Sequence, residues 1–326
     1  MKLLMKLVII FLILIIAYSF LYYFSVYNDT VSSAFKGKNL KGKIVYSLGG
    51  YCIKTIELPS QRNTVIYSKH GLDEDVGLIE NPYFSPDGTM VIFSQSRSLF
   101  KDELYVMNSD GSNANLFLHM DNEISALCPS WSPDGTKIAF IVQNTGREGL
   151  YIIDRHSHNI TNICNIRPSK DQPAWSPDNK KIAFSSENIV SKNLGNGLRE
   201  ERNMGGIYII DIATGNIENY IDLADQPAWS PNGTTLAFER GDGYHVIDVF
   251  DKIGQTDNLI IPYRKAVIGI GGSFPIRWSP DGKYLVFCKE LWYGIAGIYI
   301  APIDKPRSQI RIATDDQSII GMSWTK

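Results

Sequence analysis

The chain has 326 residues and a mass of 36.6 kDa, with 44% apolar residues, 20% charged residues and a formal net charge of −2. This is a globular composition with enough apolar material for a core. With 32 basic against 34 acidic residues there is no overall positive field, which argues against nucleic acid as a partner. Four cysteines without a CxxC pair argue against a disulfide-built scaffold and a cysteine-based zinc site.

Residues 1–27 contain an apolar segment that predicts a signal anchor, a transmembrane helix. Lys2 and Lys6 precede the uncharged run Leu7 to Val26, whose 20 residues just cross a hydrocarbon core as a helix. The alternative is a signal peptide cleaved after Ser19. The aromatic stretch at 20–24 favours the anchor, because aromatic side chains settle at the membrane interface.

The remainder is expected on the extracytoplasmic, periplasmic side, either anchored or, after cleavage, secreted or periplasmic. Four lysines follow the span and two precede it, so the orientation stays open. Residues 28–42, with Asn, Ser, Gly and Lys, are typical of a polar linker.

One motif recurs along the rest of the chain. Each copy is an aromatic residue followed by Ser-Pro-Asp-Gly or a close variant, and the aromatic residues are Phe84, Trp131, Trp175, Trp229 and Trp278. A truncated sixth copy, Ser323-Trp324, ends the chain. Successive aromatic residues are 44 to 54 positions apart, which fits one four-stranded propeller blade per repeat.

The chemistry of the motif predicts a hairpin corner. Pro fixes φ at the second position of a type I turn, and Gly tolerates positive φ at the last. A second strand follows, with a phenylalanine nine residues after each of the five aromatic residues: Phe93, Phe140, Phe184, Phe238 and Phe287. A third strand such as Leu150 to Ile153, and turns at Asp110-Gly111 and Thr214-Gly215, complete each repeat.

The two ends of this region predict a closed ring. Lys43 to Ser47 resembles a second strand with no motif before it, and Trp324 supplies the missing inner strand. We therefore expect an all-β, six-bladed β-propeller over residues 43–326, its first blade built from residues 43–67 and the strand near 319–324. Closure of this kind leaves no open edge, so loss of residues 319–326 should destabilise the whole domain.

The repeated Trp-Ser-Pro-Asp-Gly, with Lys-Ile-Ala-Phe and Ile-Tyr-Ile-Ile-Asp, resembles the WD40-like (PD40) repeat of the TolB propeller family. The resemblance covers residues 43–326 and implies a six-bladed propeller that acts as an extracytoplasmic binding scaffold. TolB carries an α/β domain before its propeller, whereas this chain has only the linker there. Similar repeats occur in tricorn protease and in prolyl oligopeptidase-type peptidases, so the motif is more specific for fold than for function.

Candidate catalytic residues have structural explanations, so no enzymatic activity, cofactor or metal is expected. There is no Gly-x-Ser-x-Gly motif. His245 occupies the third-strand position of Tyr105, Tyr151, Tyr208 and Tyr299 and is interpreted as a core residue. His156 and His158 flank a turn, Asp73-Glu74-Asp75 lacks calcium-loop spacing, and the motif aspartates belong to the corners. Cys128 and Cys164 could pair, although four scattered small apolar residues are the preferred interpretation.

Partner-binding candidates lie at a predicted channel mouth and in long loops. Glu80, Asp171 and Asp225 each stand four residues before an aromatic residue and could form an acidic ring that attracts a cationic peptide or a metal ion. Gln172 and Gln226 follow two of them in a repeated Asp-Gln-Pro-Ala-Trp. The loops 68–81, 186–205 and 262–274 exceed hairpin length, and the longest contains Arg199 and Arg202.

Two functions follow from these features. The first is a non-enzymatic, monomeric propeller, held at the membrane by its N-terminal helix, that binds an envelope protein or peptide. The alternative is a propeller enzyme, peptidase-associated or lyase-like, or a binder of a small ligand or cation at the channel mouth.

Overall fold

The computed structural model describes residues 40–68, 77–98, 101–120, 124–143, 146–186, 189–193, 199–203, 205–240, 243–248, 258–262, 275–292, 295–306, 308–315 and 317–326. All of them belong to one compact unit, Leu40–Lys326. The predicted anchor at 1–27 lies outside the described residues. Within the described ranges, no helix has the length and apolar character needed to span a bilayer.

Six four-stranded antiparallel sheets make up this unit, and five of them follow the chain order. Sheet 1 contains β1 (Gly42–Leu48), β2 (Cys52–Leu58), β3 (Arg62–Ser68) and the last strand, β26 (Ile319–Thr325). Sheet 2 contains β4 (Ile79–Phe84), β5 (Met90–Ser98), β6 (Lys101–Asn108) and β7 (Asn115–Leu118). Sheet 3 contains β8 (Ser125–Trp131), β9 (Lys137–Gln143), β10 (Gly149–Asp154) and β11 (Ile160–Cys164).

The second half of the chain repeats this arrangement with one insertion. Sheet 4 contains β12 (Ala174–Trp175), β13 (Lys181–Ser186), β16 (Gly206–Asp211) and β17 (Ile217–Asp222), and a separate hairpin of β14 (Ile189–Asn193) and β15 (Arg199–Asn203) interrupts it. Sheet 5 contains β18 (Ala224–Trp229), β19 (Thr235–Arg240), β20 (Gly243–Asp248) and β21 (Asn258–Pro262). Sheet 6 contains β22 (Ile276–Trp278), β23 (Tyr284–Trp292), β24 (Ile295–Pro302) and β25 (Ile310–Asp315).

The inner strands of the sheets form a ring. Contacts run from β4 to β8, then to β12, β18, β22 and β26, and from β26 back to β4. The predicted all-β propeller is therefore confirmed, and the inner, second and third strands identified from the repeat lie close to their predicted positions. Because six inner strands meet around one axis, their inward-facing residues line a common central channel.

The Ser-Pro-Asp-Gly corners form as their chemistry predicts. In the third sheet the Gly135 amide donates to the Ser132 carbonyl at 2.9 Å, and the glycine has a φ of +72°. Ser132 Oγ donates to Asp134 Oδ1 at 2.7 Å and accepts from the Lys137 amide at 2.9 Å. The motif aspartates thus hold the turns, as predicted.

The second-strand phenylalanines form the centre of each sheet's packing. All five are at most 1% exposed, and Tyr46 takes the same position in sheet 1. Phe140 stacks on the third-strand Tyr151 with ring centroids 5.8 Å apart, and sheets 2, 4 and 6 repeat this pair. His245 lies opposite Phe238 in the same register, which confirms its predicted strand position, while its side chain is outside the description.

Sheet 1 closes the ring with residues from both ends of the region. β26 pairs with β1 in antiparallel register, and Ser323 Oγ accepts the Phe84 amide of sheet 2 at 2.8 Å. Leu40 is 3% exposed, and Trp324 Nε1 donates to the Lys41 carbonyl at 3.3 Å. The predicted linker boundary at 42/43 is therefore too late, because Leu40 and Lys41 already pack on the propeller.

Candidate functional site in the central channel

Four inner strands bulge three residues before their aromatic residue. The pairing register breaks around this position in sheets 1, 2, 3 and 5. The bulge residues have left-handed backbones, with φ of +55° at Asn81, +52° at Cys128, +56° at Gln226 and +71° at Gly321. A bulge re-aims its side chain, here toward the channel axis. A Cβ on Gly321 would lie 2.4 Å from Asn81 Cα, so the backbones approach closely at this level.

A hydrogen-bonded plug spans the channel at the bulges. Gln172 Nε2 donates to the carbonyls of Asn81 at 2.9 Å and Pro129 at 3.3 Å. Arg277 Nη2 donates to Gln172 Oε1 at 2.5 Å, and Asn81 Nδ2 contacts Cys128 Sγ at 3.2 Å. Because these bonds join sheets 2, 4 and 6, which are not neighbours in the ring, they cross its interior. We call Asn81, Cys128, Gln172 and Arg277 the channel plug.

Glu80 and Asp225 lie near the start of their inner strands and Asp171 lies three residues before β12, but the three side chains do not form one exposed ring. Asp171 is only 4% exposed and accepts from Gln226 Nε2 at 2.5 Å, so its predicted display at an open mouth is wrong. Glu80 and Asp225 are half-buried. Burial, with a smaller contribution from Asp102, raises the pKa of Glu80. Their part in partner binding remains a prediction.

The two predicted glutamines lie within this buried network. Gln172 is 2% exposed and is the centre of the plug. Gln226 is also buried. Its backbone N–H donates to Ser185 Oγ at 3.2 Å and to Asp171 Oδ2 at 3.4 Å, and its side chain also bonds Asp171. Both side chains therefore hold sheets together, and neither is presented to solvent.

A cavity opens on the corner side of the plug. It measures about 290 Å³ and is lined by all six repeat aromatic residues, Phe84, Trp131, Trp175, Trp229, Trp278 and Trp324. The prolines of four corners and the short side chains of Ala174, Ala228 and Ser323 complete much of the wall. Among the described residues that line it, the charged side chains are those of Arg277 and Lys326, and no carboxylate side chain is present. We call this cavity the funnel.

Sequence reasoning missed Arg277, although the repeat alignment contains a signal. The residue just before each aromatic residue is Tyr83, Ser130, Ala174, Ala228, Arg277 or Ser323, so one position out of six carries a charge. Arg277 is 7% exposed, and burial lowers its pKa while nearby Tyr83 and Asp171 oppose the change. An arginine keeps its proton under such conditions, so the channel holds a fixed cation.

The longest predicted loop is in part a β-hairpin. β14 pairs with β15 so that Lys192 lies opposite Glu200 and Val190 opposite Arg202. The hairpin connects β13 to β16, at the end of the ring opposite the corners. Side chains of Arg199 and Arg202, most of loops 68–81 and 262–274, and Asp73-Glu74-Asp75 lie outside the described residues.

The remaining candidates have the structural roles predicted for them. The amide of His156 donates to Asp154 Oδ1 at 3.0 Å, and His158 continues the same exposed turn with φ +57°. All four cysteines are free, so Cys128 and Cys164 are not bridged. Across the described ranges, no group of three or more His, Cys, Asp or Glu side chains could hold a metal ion.

Solved structures share this fold. TolB from Acinetobacter baumannii matches 87% of this chain and 66% of its own, with a TM-score of 0.65 and 17% identity. A chain of the nidogen/laminin complex matches 87% and 98%, with a TM-score of 0.63 and 9% identity. Oligogalacturonate lyase from Vibrio parahaemolyticus matches 79% and 73%, with a TM-score of 0.51 and 14% identity.

These likenesses define the class of protein as a β-propeller similar to the TolB propellers. The identities are low, so the likeness is one of fold. The chain spans about two thirds of the Acinetobacter TolB. Comparison with protein-family models gives no match.

Proposed function

We propose that this chain is a six-bladed propeller, one blade per four-stranded sheet, that acts as a monomeric, non-enzymatic scaffold for a protein or peptide of the cell envelope. Residues 1–27 would anchor it in the membrane, with the propeller on the extracytoplasmic side. The WD40-like (PD40) motif and the similarity to TolB support the scaffold, and the uncharged run at 7–26 supports the anchor.

The observation that carries the proposal is the hairpin β14–β15. It pairs within itself, outside the four-stranded sheets, and therefore adds nothing to the ring. Its sequence carries five charged residues, Lys192, Arg199, Glu200, Glu201 and Arg202. Charged loops on a rigid scaffold are common carriers of recognition, and charge across an interface sets its specificity. Half-buried Glu80 and Asp225 belong to the same end of the ring.

Crosslinking followed by pull-down of the full-length protein from native membranes tests the scaffold. We expect a defined partner, whose recovery falls at least tenfold in Arg199→Glu/Arg202→Glu. The matched control is Arg62→Glu/Lys305→Glu, which reverses two exposed charges at the corner end. Undiminished capture by the hairpin variant, or equal loss in the control, would contradict the proposal.

The anchor and its orientation are tested separately. Mass spectrometry of the mature N-terminus should find the intact segment in the membrane fraction, and protease added outside the inner membrane should digest the propeller. A mature chain that begins after Ser19 would show that residues 1–19 are a cleaved signal peptide and not an anchor. A propeller that is digested only after the membrane is opened would show that it lies on the cytoplasmic side.

A further inference from the structure

The funnel presents hydrogen-bond donors in an apolar setting. Arg277 donates from Nη1 to its own strand at the Ile276 carbonyl, at 2.7 Å, and from Nη2 to Gln172. A guanidinium has five N–H groups, so the fork keeps donors that have no acceptor among the described residues. A buried donor without an acceptor costs free energy that a ligand acceptor can recover.

Of the indole N–H groups in the funnel wall, those of Trp131 and Trp229 are buried with no acceptor in the ranges that the structure describes, whereas those of Trp175 and Trp278 have one. Trp175 Nε1 and Trp278 Nε1 donate to carbonyls of the preceding sheets, Ser130 at 3.2 Å and Ala228 at 3.0 Å. The corresponding nitrogens of Trp131 and Trp229 are buried and have no partner within the described part of the chain. The unmet hydrogen-bonding capacity of the aromatic wall therefore consists of donors, which matches the positive charge of Arg277.

We propose that the funnel is a binding site for a carboxylate carried on an apolar body, with Arg277 as the anchoring residue. A carboxylate suits the planar guanidinium fork, which donates to both of its oxygens. Tryptophan and proline walls provide apolar contact for the body of the ligand, and about 290 Å³ is at the small end of ligand cavities. The volume fits one aromatic acid or the last residue of a polypeptide.

The corners limit the charge of the ligand. Asp87, Asp134, Asp178 and Asp281 lie on the same end of the ring, although each turns Oδ1 into its own corner. These four carboxylates add negative charge near the funnel, whose described lining carries two basic side chains, Arg277 and Lys326. A singly charged anion is therefore favoured over a multiply charged one such as a phosphate ester. A single carboxylate is neutralised by one fixed cation, and Arg277 provides that charge.

This site is independent of the proposed partner surface. The plug separates the funnel from the end of the ring that carries β14–β15, so the loss of carboxylate binding would leave partner capture unchanged. Conversely, failure to capture a partner would not affect titration of the funnel.

Calorimetric titration of the full-length protein with N-acetyltryptophan, and with its uncharged amide, tests the site. We expect the acid to bind at least tenfold more tightly than the amide, since hydrogen bonds to a charged acceptor are strong. A pentapeptide ending in phenylalanine, free or amidated at its C-terminus, gives the second arm. If N-acetyltryptophan binds more tightly than the pentapeptide with a free C-terminus, the natural ligand is a small metabolite. If the pentapeptide binds more tightly, the natural ligand is the C-terminus of a polypeptide.

Three variants separate the contribution of Arg277 to carboxylate binding from that of the funnel wall. Arg277→Gln should abolish the preference for acid over amide, and Arg277→Lys should keep part of it because the charge remains without the fork. Trp229→Phe keeps an aromatic side chain but removes the indole N–H group together with the second ring, so it tests the wall in a protein whose plug is intact. We expect the affinity for the acid to fall roughly threefold. The control Arg62→Gln removes an exposed arginine from the outer strand β3.

The result that would overturn the proposal is equal affinity for acid and amide, or no binding of any of the four probes. Persistence of the acid preference in folded Arg277→Gln protein would also overturn it. If Arg277→Gln does not fold, an affinity for the acid that is unchanged in Trp229→Phe would count against the site.

Discussion

The corners and the channel positions adjoin the same inner strands, but residue types recur from sheet to sheet at the corners and vary at the channel. At the corners, serine donates to an aspartate or asparagine in sheet after sheet, with nearly the same geometry in Asp134, Asp178 and Asn232. One residue before the aromatic residue, by contrast, the channel receives Tyr, Ser, Ala, Ala, Arg and Ser. Repeated positions form the same local structure each time, whereas the varied positions give the channel its chemistry.

Removing the sixth inner strand should have the largest effect on stability. Deletion of residues 319–326 exposes the edge of β1 and loses the buried Ile319 and Met322. We expect a loss of about 5 kcal/mol and a fall in melting temperature of roughly 10 °C. Calorimetry of the truncated protein measures this, and melting within a degree or two of the full-length protein would show that closure is dispensable.

Loss of the central amide of the plug should cost more stability than loss of a half-buried glutamine elsewhere in the ring. Gln172→Ala leaves the buried Arg277 without its side-chain acceptor, at an expected cost of about 2 to 4 kcal/mol. The control Gln143→Ala removes a half-buried glutamine that bonds one carbonyl, Pro168 at 3.0 Å, and should cost about 1 kcal/mol. Denaturant titration compares the two, and equal costs would mean that the plug is not under special constraint.

Replacing both plug partners provides a sharper form of the same experiment. Gln172→Met with Arg277→Met removes the charge and its acceptor together, and should be less destabilising than Gln172→Ala alone. A larger loss in the double variant would indicate that the charge itself stabilises the ring.

A single corner should matter less, because four others remain. Ser132→Ala loses the bonds to Asp134 and to the Lys137 amide, and we expect a cost of about 1 kcal/mol by chemical denaturation. Ser157→Ala removes a serine bonded to Asp154 in an exposed turn, and should cost less. If the two variants lose the same stability, the corner has no advantage over an ordinary turn.

The smallest expected effect depends on pH. The Ser85 and Ser176 hydroxyls hold the pKa of Asp87 and Asp178 below the ordinary 3.8. A carboxyl whose pKa is lower when folded contributes stability above its unfolded pKa, and that contribution is lost as pH falls through the folded value. Stability from the corners should therefore decline only below about pH 4.

Melting temperatures from pH 2 to 7 measure this decline. Asp87→Asn/Asp178→Asn should flatten it while changing little at pH 7, because Asn232 already accepts the same bonds in sheet 5, from Ser230 Oγ at 2.7 Å and the Thr234 amide at 3.1 Å. Exposed Asp304→Asn is the control, since it lies outside the corners. An unchanged pH profile in the double variant would assign acid sensitivity to other carboxyl groups.

Local sequence determined the repeat, the corners, the phenylalanine positions and the closing strand. The repeat, the corners and the phenylalanine positions depend on residues within one hairpin, where proline, glycine and serine act on their own backbone. The closing strand followed from the incomplete repeats at the two ends of residues 43–326, which complement each other. The same reasoning placed Glu80, Asp171 and Asp225 four residues before an aromatic residue, just ahead of the inner strands, but it could not determine that Asp171 is buried. That depends on Gln226, which lies 55 residues away and bonds it from the next sheet.

Tertiary structure alone decided the channel. Gln172 meets Arg277 across 105 residues and the Asn81 carbonyl across 91, so no local pattern joins them. Left-handed bulges at Asn81, Cys128 and Gln226 share no residue type, and their common backbone is visible only when the strands are paired. The sequence specifies a propeller because every repeat encodes the same fold locally. The chemistry of its channel is set by the ring, which brings six residues of four types, one from each sheet, toward one axis.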